Sequence, residues 1–287
     1  MNNITVIILT FNEEIHIERC IKSALQISDK IFVVDSYSND KTIEILKTYH
    51  SIKTTQHRFE DYSKQRNWSQ KNCPFETEWV LHLDAGEWLT NEFIKWVHNI
   101  FPIESQKYAG FIFSRRVYFL DKWIKYGGMY PNYHLRLFKK VNGFCENKAY
   151  DQHFIVNGRI KKLPLGADMI DDNGTDIVDF IIKHTRWAEK EANEIVFETT
   201  IKGDVSEKFT GNSIEQKRFL KNGVYYKFPI FLRSFLFFVY RYFFRLGFLD
   251  GKIGFIYHFF QCLWFRTTVD ALIVKKKILK KDVYKNR

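Results

Sequence analysis

The 287-residue chain has only four cysteines, and Cys20, Cys73, Cys145 and Cys262 lie far apart with no Cys-x-x-Cys pair among them. That spacing indicates neither a zinc ribbon nor a disulfide framework, and a reducing cytosol is the expected setting. A basic leader is also missing. Ile4 to Leu9 runs straight into polar Thr10, Asn12 and Glu13, so the start of the chain reads as a first strand rather than a signal peptide. Nor is there a long uncharged apolar run between Phe228 and Phe265, where Arg233, Arg241 and Arg245 interrupt the aromatics. The longest uncharged stretch there, Ile253 to Phe265, has 13 residues, short of the roughly 18 a spanning helix needs.

What is present is ample apolar material, 45% of residues, enough for a large α/β domain or a domain with an appendage. The formal charge of +11 is unevenly spread: residues 201–287 hold 18 Lys/Arg against 6 Asp/Glu, whereas residues 1–200 hold 26 against 27. The basic excess of the last part points to an anionic partner surface, nucleic acid or phospholipid.

The N-terminal part alternates in type. Ile4 to Leu9 is an apolar strand-like run, and Glu14 to Leu25 carries Ile15, Ile17, Ile21, Ala24 and Leu25 on roughly one helical face. Ile31 to Val34 then leads through Asp35 and a polar turn, Ser36 to Asp40, into a helix bearing Ile43, Ile45 and Leu46. A strand near Ile52 to Thr55, a helix from Tyr62 to Lys71 and a strand ending at Asp84 complete the series. This βαβαβαβ order predicts a mostly parallel, helix-covered sheet with right-handed crossovers. From about Tyr108 the runs shorten, Gly110 to Ser114 and His134 to Phe138, around the loop Trp123 to Tyr133, whose Trp123 and Tyr126 suit either a sugar face or the core. Asp176 to Glu198 reads as a helix, and Gly203 to Gln216 as a loop.

Chemistry gathers at the strand ends. Trp79 to Trp88 reads Trp-Val-Leu-His-Leu-Asp-Ala-Gly-Glu-Trp, placing Asp84 and Glu87 just past an apolar strand, where open α/β sheets bind ligands. The two carboxylates suit a hard cation carrying a phosphate group; the plainer alternative makes Asp84 the cap of a helix from Thr90 to Val97 and leaves Glu87 solvated.

Four segments in order, Thr10-Phe11-Asn12-Glu13, Val33 to Asp40, Lys64-Gln65-Arg66-Asn67 and Leu83 to Glu87, together with Tyr133 to Phe138 and Phe243 to Gly251, resemble glycosyltransferase family 2. The likeness is nearest to bacterial lipopolysaccharide-core and capsule transferases of the core β-1,4-glucosyltransferase group. It implies a GT-A fold, a Rossmann-like mostly parallel sheet with helices on both faces, and an inverting transfer from a UDP-sugar. By this resemblance Asp35 accepts a hydrogen bond from the uridine base, or stabilises its turn. Thr10, Asn12 and Glu13 line the same crevice, with Glu13 alternatively favouring a helix start. Arg66 approaches the base or diphosphate, or makes an i,i+4 surface pair; Asp84 holds ribose or metal; and Arg136 balances diphosphate charge or forms a structural ion pair. The family places Asp-x-Asp where this chain has Asp84-Ala85-Gly86, so the second acid is lost and Mg²⁺ or Mn²⁺ would rest on Asp84 and Glu87. The general base falls on Asp151, with Glu146 as the alternative.

The expected organisation is therefore a nucleotide-sugar half over 1–104, an acceptor-binding half over 105–225 and an aromatic, basic helical region over 226–287. That last region reads as an in-plane anchor on an anionic leaflet; a packed helical hairpin or a nucleic-acid platform are its alternatives. The whole describes a peripheral enzyme on the cytoplasmic face of the plasma membrane, acting on a lipid-linked saccharide and not on nucleic acid. A nucleotide-sugar-binding protein impaired by Gly86 is the rival from another class.

Overall fold

The computed structural model describes residues 3–148, 152–174, 176–197, 210 and 213–285. The chain divides into two compact units, one formed by residues 1–116, 131–147 and 152–172, the other by 117–130, 148–151 and 173–287.

The first unit is built on β1 (Ile4–Thr10), β2 (Ile31–Asp35), β3 (Lys53–Gln56) and β4 (Trp79–Asp84), hydrogen-bonded in the order β3-β2-β1-β4 and all parallel. Every residue of β1 and β2 is buried, as expected of strands covered on both faces. Helices α1 (Ile17–Leu25), α2 (Thr42–Lys47) and α3 (Tyr62–Lys71) connect them. Ile17, Cys20, Ile21 and Ala24 of α1 face the core, and the Asp61 side chain accepts the Lys64 N–H at 2.8 Å to start α3. The predicted βαβαβαβ order and the α/β class hold, with boundaries shifted by a residue or three.

Beyond β4 the direction changes. A short β5 (Glu87–Leu89) precedes α4 (Asn91–Asn99) and α5 (Phe101–Glu104), and β6 (Gly110–Phe119) is the long strand of the sheet. After β7 (Lys122–Ile124) comes β8 (Tyr133–Lys139), which inserts antiparallel between β4 and β6. The pair β9 (Gly143–Cys145) and β10 (Phe154–Val156) forms a separate ribbon, β11 (Ile160–Lys162) runs parallel to β6, and β12 (Met169–Asp172) pairs with β5. These short strands carry no alternation of their own to announce them, since each is fixed by a long-range neighbour. One expectation is corrected: Thr90, not Asp84, caps α4, its Oγ1 accepting the Phe93 N–H at 3.2 Å.

In the second unit, the last residues of β6 and β7 form a hairpin through Leu120 and Asp121, both with positive φ, 49° and 58°, the backbone a two-residue turn requires. Among the described residues five α-helices follow, α6 (Ile177–Phe197), α7 (Ser213–Gly223), α8 (Leu232–Val239), α9 (Gly251–His258) and α10 (Phe265–Lys285). Ala188 and Ala192 of α6 let Phe265, Val269 and Ile273 of α10 approach closely. Buried charges are paired: Arg233 bonds Asp270, which also accepts the Phe231 N–H at 2.9 Å, and Glu191 accepts from Arg266 at 3.0 Å and Lys221 at 2.9 Å. The stretch Lys125 to Gly127 is held from within this unit. Asp250 accepts the N–H groups of Lys125 and Tyr126 at 3.2 and 2.9 Å, while a Cβ on Gly127, at φ +65°, would stand 2.1 Å from the His258 ring. Glycine is required there by space and by backbone.

The core of the first unit gathers Trp79, Phe93, Trp96, Phe101, Phe111 and Phe113 in edge and stacked contacts. Truncating a fully buried Phe there, Phe111→Ala, is expected to cost about 3–5 kcal/mol, against about 0.5 kcal/mol or less for the exposed Val141→Ala. Denaturant unfolding measures both, and equal losses would contradict this placement of the core.

Candidate active site at the strand ends

Parallel strands end together, and the register sets Thr10 beside Asp35 and Leu9 beside Asp84. The polar residues that follow β1, β2 and β4 therefore share one edge of the sheet, the edge where doubly wound sheets bind ligands.

Around the first two strand ends the side chains knit the loops to one another. Asp35 is fully buried; its carboxylate accepts the Ser38 N–H and Gln56 Nε2–H, each at 3.0 Å, and the Ser38 hydroxyl. It thus takes the turn-stabilising role. Asn12, at φ 54°, donates its N–H to Ser38 Oγ at 2.8 Å and accepts the Asn39 N–H at 2.9 Å. Glu13 gives its N–H to Thr42 Oγ1 and its carbonyl to the start of α1, and its carboxylate meets His16 Nδ1 at 2.8 Å. These contacts place Glu13 at the start of α1. Thr10 is buried and its Oγ1 has no partner among the described residues.

The charged centre lies at the end of β4. Arg66, from α3, donates Nη2 to both oxygens of Asp84, at 2.8 and 2.9 Å. Arg136, from β8, donates Nη2 to the same Asp84 Oδ2 at 3.3 Å and to Glu87 Oε1 at 3.4 Å. Glu87 Oε2 accepts the backbone N–H of Asp84 at 2.8 Å, so the acid three residues on folds back over the strand end. Glu87 is 1% exposed, not solvated as the plainer reading had it, whereas the Asp84 side chain keeps 34% of its surface. Phe154 of β10 faces both guanidinium groups, 5.4 Å from Arg66 and 5.9 Å from Arg136, and lies 4.6 Å from the buried His82 ring.

Electrostatics follow from this crowding. Burial pushes the Asp84 carboxyl up, but the two arginines outweigh it and hold it well below the usual carboxylate range. Burial raises Glu87, against the pull of Arg136 and with the push of Asp84. Burial, then Arg66 and Arg136, keep His82 neutral well below its ordinary value.

The residues present do not fit a divalent cation. Asp84 is already shared by two guanidinium groups, Glu87 spends its oxygens on Arg136 and the Asp84 amide, and Gly86 supplies no third ligand. Mg²⁺ or Mn²⁺ at Asp84 would face two fixed positive charges at hydrogen-bond range of that carboxylate. Among the described residues no group of three or more His, Cys, Asp or Glu side chains gathers to hold a metal.

Of the sequence-predicted residues, Thr10, Asp35, Arg66, Asp84, Glu87 and Arg136 meet at this edge. Asp151 lies outside the described residues. Glu146, the alternative base, is fully buried: its Oε1 accepts the His153 N–H at 2.9 Å, and its backbone exchanges with His153 and Ser63. It closes the β9–β10 ribbon. Sequence reasoning missed Phe154, which nothing local distinguishes from any core aromatic, and Gln56, whose place beside Asp35 depends on the β2–β3 pairing.

A glycosyl transferase family 2 model matches residues 5–156. An uncharacterised glycosyltransferase, RT0209, of Rickettsia typhi is 35% identical over 106 residues, covering 37% of this chain and 35% of the relative. The glycosyltransferase SunS of Bacillus subtilis is 28% identical over 142 residues, 44% of this chain and 33% of that one. The match thus spans about a third of the length of these curated relatives. Among solved structures, S. aureus TarS 1-349 covers 96% of this chain and 92% of its own at 15% identity, with a TM-score of 0.47. The same protein in complex with UDP-GlcNAc gives 14% identity and 0.46. A likeness of that degree carries no functional argument.

Proposed function

The chain belongs to glycosyl transferase family 2, and from that premise we propose that it is an inverting hexosyltransferase, moving a sugar from a UDP-sugar to a lipid-linked saccharide in bacterial surface polysaccharide assembly. The observation that supports this best is the meeting of Thr10, Asp35, Arg66, Asp84 and Arg136 at the ends of β1, β2 and β4. In this reading the polar loops after β1 and β2 border the nucleoside, with the unpartnered Thr10 hydroxyl turned to use by the ligand. Arg66 and Arg136 meet the diphosphate, and Asp84 fixes both guanidinium groups between turnovers. Asp151 takes the proton from the acceptor hydroxyl as that oxygen attacks the anomeric carbon opposite the departing UDP. The divalent cation of the family resemblance is left out of this reading because of the charges around Asp84.

The acceptor side rests on the second unit. Among the described residues no helix is long and apolar enough to cross a membrane. Yet between Phe228 and Phe259 large apolar side chains stand in solvent, among them Phe231, Leu232, Phe235, Phe243 and Phe248, with Phe244 75% exposed. Arg241 and Arg245 lie in the same span. Exposed apolar side chains of this density, with arginines beside them, suit the headgroup layer of an anionic leaflet. The enzyme would then sit on the cytoplasmic face of the plasma membrane, where a lipid-linked acceptor is confined.

In a thermal-shift panel of nucleotide-sugars, UDP-hexoses are expected to raise the melting temperature, saturation at 100 times Kd adding about 2.7 kcal/mol to the native state. No response to any UDP-sugar would contradict the donor assignment. Asp151→Asn is expected to bind UDP as the parent does while losing transfer by about 10²–10⁴-fold; near-parent turnover would move the base elsewhere. For the surface, full-length protein is expected to float with vesicles containing phosphatidylglycerol. The double substitution Phe243→Glu and Phe244→Glu should leave it in the pellet fraction with its melting temperature unchanged, and flotation of that variant like the parent would contradict an apolar insertion at this site.

A further inference from the structure

Resting on the nucleotide-sugar reading above, we infer that Arg66 and Arg136 together take the place of the divalent cation, so that the donor diphosphate is bound by two fixed guanidinium groups and needs no metal.

Three observations within the first unit carry this. The first is a surplus of buried donors. Arg66 and Arg136 are 4% and 7% exposed, yet Nη1 of each has no hydrogen-bond partner among the described residues. A buried cationic N–H group without an acceptor costs about as much as a lost charge-assisted hydrogen bond, and two of them on guanidinium groups that share one carboxylate call for an anion with several acceptor oxygens. A diphosphate has them.

The second is rigidity. Each guanidinium uses Nη2 on Asp84, whose Oδ2 lies 2.9 Å from one and 3.3 Å from the other, and each faces the Phe154 ring. The acid and the ring hold the two cations in place before any ligand arrives, much as protein oxygens hold a metal, so little rotamer freedom is left to lose on binding.

The third is position 86. The second acid that the family resemblance implies would add a negative charge two residues after Asp84; glycine leaves the two arginines less neutralised. Space does not explain the glycine, because a Cβ built there meets nothing nearer than the Asp172 carbonyl at 3.6 Å, an ordinary contact, and its φ is not in the left-handed region.

Isothermal titration of the full chain with UDP, in excess EDTA and in Mn²⁺, tests this. The affinity is expected to be the same in both; a gain of about tenfold or more with Mn²⁺, equal to about 1.4 kcal/mol, would overturn the proposal. Gly86→Asp, which fits the backbone, is expected to acquire a Mn²⁺ response that the parent lacks. Arg136→Gln is expected to weaken UDP by about 10- to 100-fold, the worth of a hydrogen bond between charged groups, in EDTA and Mn²⁺ alike. Arg136→Lys is expected to recover part of that loss, and uridine, which has no diphosphate, to bind parent and variant equally. UDP affinity unchanged in Arg136→Gln would overturn the proposal. Absence of UDP binding under both conditions would remove the nucleotide-sugar reading itself, a failure distinct from binding that requires Mn²⁺.

Discussion

One carboxylate organises the candidate site. Asp84 ends a buried parallel strand, and the arginines of α3 and β8 both close on it. Without that shared anion the two guanidinium groups would repel each other in a poorly solvated corner, and Glu87, folded back onto the Asp84 amide, would have no reason to be buried. The interaction also ties together elements far apart in sequence: the third helix, the fourth strand, and the antiparallel strand that extends the sheet beyond its parallel half. Phe154 adds a ring on which both cations rest. At this edge two buried arginines close on one partly exposed acid, and in the proposed reading they are the groups that meet the leaving diphosphate.

The second unit obeys a different balance. Its interior is closed by small residues of α6 against α10 and by paired charges, Arg233 with Asp270 and Glu191 with Arg266 and Lys221. Its exterior between Phe228 and Phe259 is apolar where a water-facing helix would be polar. These exposed aromatics, with arginines among them, are what the proposed docking on a bilayer interface rests on.

The parallel half of the fold was legible because its signals are local. The apolar runs at Ile4, Ile31 and Trp79 and the helical faces between them state the βαβ order directly, and the Tyr62–Lys71 helix falls where it was expected. Of the antiparallel half only the runs that became β6 and β8 were legible, because β5, β7 and β9 to β12 are three or four residues long and owe their conformation to partners across the sheet. In the site the same divide appears. The identities of Asp35, Arg66, Asp84 and Arg136 were readable from their place after strands and in the third helix, and so was the turn-holding alternative for Asp35, but most of their partners were not. Asp35 also accepts from Gln56 of β3, Arg66 is committed to Asp84, and Glu87 is buried with its carboxylate on the Asp84 amide. Side-chain pairing across the sheet decides such duties, and sequence spacing does not encode it.

The reaction itself is the central claim, and it is tested most directly by following the sugar. Full-length protein would be incubated with UDP-hexoses labelled in the sugar, together with bacterial lipid extract, and label would be counted in the organic phase alongside free UDP. Label entering the lipid fraction in step with UDP release, from one hexose above the others, is the expected result. UDP-hexoses left intact, with no label in any lipid fraction, would contradict it.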